Sequence, residues 1–526
     1  MNRFVPVLVL AGASLAAAER INHEGRILGP TPTVTTPLLF NTAAADAVVA
    51  TLQIMPRDSA WNEDVSTLPL LANSTAMITT IRADVFAGTH PDRRRVVVFK
   101  EMNYVLIPDN QARVDVTIFN YPDESDDLKV AGGSVGSWPL PSNLPIETWP
   151  SEQPGLTLLQ WQQDVNNEGG DRHAIAVMPG SGSFWETGEI SLTATTPPWR
   201  ASTGARFSLN ANTPRPAGWT SADAAGLPVF PALVRYDEVQ RGTIEHALRL
   251  VVKRSRQEYV YPASHQAGST TLPDVPAMGQ RLRLKAAFAI PASWTPEERT
   301  IAVALKKYGA LVADNGNFFS LSICPDDRWA AGCFDHLSTS AGSDLCDITD
   351  FEVVSSTGPT EGPRSAGALT AGAGIDQTVT VLGGATLNGL ASGSGVQTRW
   401  SLYPQVAAPG TVTFSDPTQL TTTATFSAVG VYLLTLKVTD GIHSPAYDVV
   451  QITVQPGGTP PATGSGTTGS GTTGSGTTGS TSGPASDSGG GGGGCGLGSI
   501  VGLTLCLSLT LYGQRCLTVM RNRCVV

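Results

Sequence analysis

The sequence predicts a mainly β protein: a large β-sandwich or jelly-roll-like domain with a few helices, followed by an immunoglobulin-like β-sandwich. Three observations carry this expectation. Short runs of alternating apolar and polar residues recur along the chain, the signature of strands with one buried face. Gly (56) and Pro (37) are abundant, which suits a turn-rich protein better than a helical bundle. At 526 residues the chain exceeds one ordinary domain. The formal net charge of −10 comes without a long basic run, which argues against a nucleic-acid partner.

The first 18 residues read as a secretion signal. MNR supplies one positive charge and FVPVLVLAGASL a short apolar stretch; AAA then ends at Ala18, with small residues at Ala16 and Ala18 forming an A-x-A cleavage site. The apolar run is too short to span a bilayer comfortably. The seven cysteines fit an exported chain. A Cys324–Cys333 bridge would close a short loop, but Cys346 leaves an odd number in this region, so the pairing stays open. Without a C-x-x-C pair, zinc is not expected.

Residues 19–363 form the large β-rich domain. RRRVVVFKEMNYVLIP, ARVDVTIFNYP, HAIAVMP, GEISLTAT, ARFSLNA, HALRLVV, EYVYPA and QRLRLKAAFAI read as strands. In RLRLKAAF, Leu282 and Leu284 alternate with Arg281, Arg283 and Lys285, which predicts a half-buried strand with a basic face. Two helices stand out. STAMITTIRADV begins near Ser74. In WTPEERTIAVALKKYG, Thr295 is the N-cap, Pro296 occupies N1 and Glu298 completes a capping box. Ile301, Ala304, Leu305 and Tyr308 then make an apolar stripe that Gly309 ends.

Histidines on or beside strands supply the first candidates for chemistry, because imidazole carries protons or binds metals near neutral pH. His246, His265 and Asp314 are the acid–base candidates. Asp171, His173, Arg249 and Asn315 are substrate-binding candidates, with Glu245 nearby. Arg249 and the Arg281/Arg283/Lys285 face would suit uronic acid carboxylates. In DVNNEGGD, Asp164, Asn166 and Glu168 alternate as oxygen donors, a weak calcium-loop pattern whose closing carboxylate is missing at Ile175. Calcium is thus at most a structural cofactor, and none is required. Trp161, Trp185, Trp199 and Trp219 would stack on sugars or simply pack. The absence of H-E-x-x-H, G-x-S-x-G and Walker motifs argues against zinc proteases, α/β-hydrolases and P-loop enzymes.

Residues 368–456 change to regular β alternation. TRWSLYP carries Trp400; Tyr432, Leu434, Leu436 and Val438 alternate with period two; Asp440–Gly441 makes a turn before AYDVVQITV. His443 reads as a loop residue. These segments resemble the PKD family in their order, which implies a spacer or adhesion module of extracellular proteins and no catalytic residues.

Residues 457–494 are a Gly/Ser/Thr linker that cannot bury enough apolar surface to fold, with a reach of roughly 30–35 Å. Residues 495–526 hold Cys495, the uncharged LGSIVGLTLCLSLTLYG and then Arg515, Arg521 and Arg523. That pattern predicts a short transmembrane helix with its basic end in the cytoplasm. It resembles bacterial C-terminal sorting signals of the glycine-rich, cysteine-containing type, which implies either cutting near Gly494–Gly498 with a lipid on Cys495 or an uncut tail that stays as the anchor.

The large domain also resembles a family of secreted bacterial β-rich proteins through INHEGRILGP, PRDSAWNEDVS, GGDRHAIAV, RPAGWTSADAAGLPVFPALVRYDEV, GTIEHALRLVV, YVYPASHQAGS, PAMGQRLRLKAAF and LKKYGALVADNG. That resemblance brings no activity with it. The expectation is therefore an exported, membrane-anchored surface protein that acts on extracellular polysaccharide as a hydrolase or lyase. The alternatives are a non-catalytic adhesin and a structural envelope protein.

Overall fold

The computed structural model describes residues 20–85, 91–151, 155–167, 169–338 and 344–457. Ala18, Glu168 and everything from residue 458 onward, including Cys495 and the expected transmembrane segment, lie outside the described residues. Among the described residues, no helix is long and apolar enough to cross a membrane.

The fold is mainly β. In the large domain a six-stranded sheet runs in the order Phe351–Val353, Arg281–Leu284, Ala310–Asn315, Leu248–Val252, Phe319–Ile323, Val96–Lys100. Two of its pairings are parallel, Leu248–Val252 with Ala310–Asn315 and Phe319–Ile323 with Val96–Lys100. A five-stranded sheet orders Leu38–Leu39, Val105–Leu106, Ala174–Val177, Ser183–Gly188 and Thr203–Ser208. A four-stranded sheet orders Val135–Trp138, Val114–Ile118, Trp199–Ala201 and Ser191–Leu192.

The five-stranded sheet is the middle layer. Ile175, Val177 and Phe184 face one core, shared with Leu248 and Leu250 of the six-stranded sheet. Ala174, Ala176 and Trp185 face a second core with Val116, Trp138 and Trp199 of the four-stranded sheet. Alternate side chains of one strand thus serve two cores, which the period of two permits. The helix Pro296–Lys307 begins with the expected Thr295–Glu298 capping box and buries Ile301, Ala304 and Leu305. Ser74–Val85 is the second expected helix.

The basic face expected on Arg281–Leu284 is absent, because all four residues of that strand are buried. Arg281 donates to the carbonyls of Tyr308 and Ala60, and Arg283 to those of Val65 and Leu68 and to Glu352. A strand covered on both faces keeps no wet side, so its arginines are engaged inside the protein. The Cys324–Cys333 bridge, one of the pairings the sequence leaves open, is not formed: Cys324, Cys333 and Cys346 are free, buried thiols. Between them Trp329 packs edge-on against Phe334, with ring centroids 5.0 Å apart.

The second β unit is an immunoglobulin-like sandwich. Its four-stranded sheet orders Gln377–Thr380, Ala446–Gln455, Gly430–Thr439 and Gln397–Leu402. The opposing three-stranded sheet orders Ala385–Asn388, Thr421–Phe426 and Val412–Phe414. Tyr432, Leu434, Leu436 and Val438 are fully buried, and Trp400 packs with them.

This sandwich is held against the large domain. The Ile21–Ile27 bridge closes a small N-terminal hairpin, and the Ile27 amide donates to the Tyr403 hydroxyl at 3.0 Å. The Arg57 guanidinium donates to the Leu369 carbonyl, and Ser444 donates to the Arg57 carbonyl. His443 lies 2.6 Å from Asp440 through Nδ1, and its Nε2 contacts Ser365 and the Ala366 carbonyl. The loop histidine therefore pins the connection between the two units.

Candidate functional site

Four neighbouring strands of the six-stranded sheet set side chains in a row. Asp314 comes from Ala310–Asn315, Arg249 from Leu248–Val252 and Ser322 from Phe319–Ile323; Glu101 directly follows Val96–Lys100. A register shift between Leu250 and Val251 brings Asp314 opposite Val251. Arg249 is the hub. Its Nη2 lies 3.1 Å from Asp314 and 2.6 Å from Asp223, and its Nη1 lies 2.8 Å from Ser322 and 3.5 Å from Glu101. The Ser322 hydroxyl donates to Glu101.

A second group approaches from the middle sheet. His173 stands just before Ala174–Val177, with Nδ1 2.8 Å from Glu147 Oε2 and Nε2 2.8 Å from the Ala222 carbonyl. Glu147 Oε2 also accepts from the His173 amide at 3.0 Å. Glu186, fully buried on Ser183–Gly188, accepts from the amides of Val229 and Phe230.

Glu101 and Glu147 both line a cavity of about 280 Å³, with Thr148, Trp161, Asp164, Asp171 and Arg172 among its other walls. Their acidities are driven apart. Burial raises Glu101, Arg249 offsets only part of this, and its pKa reaches about 7. Burial also acts on Glu147, but the charge and hydrogen bonds of His173 hold it below the usual carboxylate value. Burial and the neighbouring Asp223 charge bring Asp314 to about 7. Burial, opposed by the two amides, brings Glu186 to about 8. Paired carboxyls separated in this way divide into a proton donor and a base.

The sequence candidates fall into two places. Asp171, His173, Arg249 and Asp314 converge on this region. Asn315 is exposed beside it, with its amide nitrogen 3.1 Å from Ser255. The joint acid–base centre expected of His246, His265 and Asp314 is not assembled. His246 is 1% exposed and packs with Arg235 and Glu238, in a pocket shared with Asn22, Arg26 and Glu245. His265 uses Nδ1 on the Ala224 carbonyl at 2.7 Å, and among the described residues it makes no hydrogen bond to Asp314 or Arg249. Arg249 is 3% exposed in its side chain and faces protein carboxylates instead of open solvent.

Of the calcium-loop residues, Asp164 and Asn166 are described and Glu168 lies outside the described residues. Asp164 lies 3.5 Å from the Arg172 guanidinium and accepts from the Gly169 amide. Among the described residues, no group of three or more His, Cys, Asp and Glu side chains is placed to hold a metal ion. Trp161, Trp185 and Trp199 are buried, Trp161 also forming part of the cavity wall, and Trp219 lies beside Arg215.

Sequence reasoning missed Glu101, Glu147 and Asp223. The one available signal was position, since Glu101 ends a strand and Glu147 and Asp223 sit in the loops PIETWP and TSADAAG.

Comparison with known proteins places one part of the chain. Residues 373–454 match a PKD domain family, and this stretch is a PKD-like domain. No curated protein matches the chain. Among solved structures, the PKD domain from the KIAA 1837 protein is 25% identical, over 18% of this chain and 94% of its own, with a TM-score of 0.14. A nucleoside hydrolase-related hypothetical protein from Saccharophagus degradans, described as associated with carbohydrate metabolism, is 18% identical over 15% of this chain, with a TM-score of 0.14. The match spans 22% of that protein's length.

Proposed function

We propose that this is an exported, surface-held bacterial protein that cleaves an extracellular polysaccharide in the cavity walled by Glu101 and Glu147. One observation carries the reading: two carboxyls with oppositely shifted acidity line a single cavity. Glu101 supplies a proton to the glycosidic oxygen as the C–O bond breaks. Glu147, kept ionised by His173, takes a proton from the water whose oxygen joins the anomeric carbon. Arg249 and Ser322 position Glu101. No cofactor enters this mechanism. The reading of residues 1–18 as an export signal and of residues 495–526 as a membrane anchor rests on their sequence, and the PKD-like domain supports an extracellular setting.

The test incubates the full chain with a panel of neutral, amino and acidic polysaccharides. New reducing ends and ultraviolet-absorbing unsaturated products are followed, with and without chelator. Release of reducing ends that disappears in Glu101→Gln supports hydrolysis. Retention on insoluble glycans with no product replaces the enzyme by an adhesin, and neither signal leaves a structural envelope protein.

A further inference from the structure

The charges around the cavity do not cancel evenly. Glu147 is matched by His173, and Asp164 by Arg172. Arg249 is shared by Asp223, Asp314 and Glu101. Asp171 remains. It lines the cavity, its residue is exposed, and among the described residues its carboxylate makes no hydrogen bond and no ion pair. Its charge is nonetheless felt by His173, Asp314 and Glu189.

The cation lining the cavity is not available to a ligand. Arg172 donates to the carbonyls of Ile190 at 3.0 Å and Trp161 at 2.7 Å while facing Asp164. Arg249 is enclosed by carboxylates, and Arg281 and Arg283 are buried elsewhere. A uronate entering this cavity would meet the unmatched Asp171, and among the described residues that line the cavity no guanidinium is free to receive it. Unmatched like charge of this kind rejects a ligand as effectively as new contacts select one.

We infer that Asp171 is a specificity-determining residue that receives a cationic group, so that the polysaccharide taken by this cavity is an amino glycan bearing free ammonium groups. The inference rests on the polysaccharide reading above and narrows it. A neutral sugar enters without repulsion but gains nothing at Asp171. An N-acetylated amino sugar loses the charge that Asp171 would meet. Because Asp171 is exposed, the attraction is modest and screened by salt.

The experiment compares wild type and Asp171→Asn, both as full chains, on chitosan, soluble N-acetylated chitin, a neutral glucan and polygalacturonate. Reducing-end release is measured together with retardation in polymer-containing gels, so that binding is read apart from turnover. Wild type is expected to favour chitosan over its N-acetylated counterpart by about fivefold at low salt. That ratio should fall toward one in Asp171→Asn and in wild type at high salt. The N-acetylation contrast needs no variant and stands even if the substitution harms folding. Equal or better use of the neutral or acidic polymers, or a preference that survives Asp171→Asn, overturns amine selection and leaves polysaccharide cleavage intact. No release and no retardation with any polymer overturns both readings.

Discussion

His173 lies between two acceptors, with Nδ1 2.8 Å from the Glu147 carboxylate and Nε2 2.8 Å from the Ala222 carbonyl. A carbonyl and an ionised carboxylate only accept, so beside an ionised Glu147 the ring carries a proton on both nitrogens. Burial pulls its pKa down, but the charge and hydrogen bond of Glu147 outweigh this and push it to about 10. His173 is thus a fixed cation that keeps Glu147 ionised, and not a proton shuttle at neutral pH.

A stability prediction follows with a definite sign. A histidine whose pKa is raised on folding contributes stability below its ordinary value of 6.5, and that contribution disappears as pH rises through about 10. Chemical denaturation between pH 7 and 10 should show progressive loss in the wild type and a flatter profile in His173→Gln. NMR titration should find the His173 ring still protonated at pH 8; a neutral ring there would remove the basis for an ionised Glu147.

Activity should follow the two cavity carboxyls. Glu101 must be protonated, so turnover should decline as pH rises through about 7. Glu147 must be ionised, so the acid limb should lie below the ordinary carboxylate range. Glu101→Gln should lower kcat by about 10²–10⁴-fold and abolish the alkaline limb. A kcat loss below tenfold would remove Glu101 from the acid role.

Arg249→Met should destabilise the large domain by about 3–5 kcal/mol, since it leaves the buried Asp223 carboxylate without its counter-charge. Replacing Asp223 by Leu in the same chain should recover part of that loss. Urea unfolding of both single variants and the double variant gives the coupling. Additive losses would mean that the pair does not act as a unit.

At the contact between the two β units, Gly25 has φ +80°, and a Cβ there would stand 2.9 Å from the Tyr447 ring. Gly25→Ala therefore meets both backbone strain and a ring. It should cost about 1–3 kcal/mol and speed hydrogen exchange at the Ile27 amide. Unchanged exchange at Ile27 would show that the hairpin does not depend on this close approach.

Local rules made part of this protein legible. The period-two run Tyr432, Leu434, Leu436 and Val438 needed only alternation, and the helix after Thr295 needed only its capping box and an N1 proline. Alternation failed at Arg281 and Arg283 because it assumes one wet face, and layers cover both sides of that strand. The site was half legible for a similar reason. Asp171, His173, Arg249 and Asp314 carry recognisable chemistry, but Arg249 meets Glu101 across 148 residues of sequence and Ser322 across 73. No local pattern connects residues so far apart. His246 looked like its neighbour candidates because sequence does not reveal that its strand end turns inward, toward Glu238.

The N-terminal hairpin imposes an order on assembly. It is made early, yet Asn22 bonds Glu245 across 223 residues, His23 meets Tyr308 across 285 and Ile27 meets Tyr403 across 376. None of these contacts can form until the distant partner has left the ribosome, and each must close a long loop before it stabilises anything. The Ile27 amide finds its partner hydroxyl only when the PKD-like domain is present. Synthesis and consolidation therefore run in opposite directions, and the hairpin that carries Ile27 is fastened by a residue made 376 positions later.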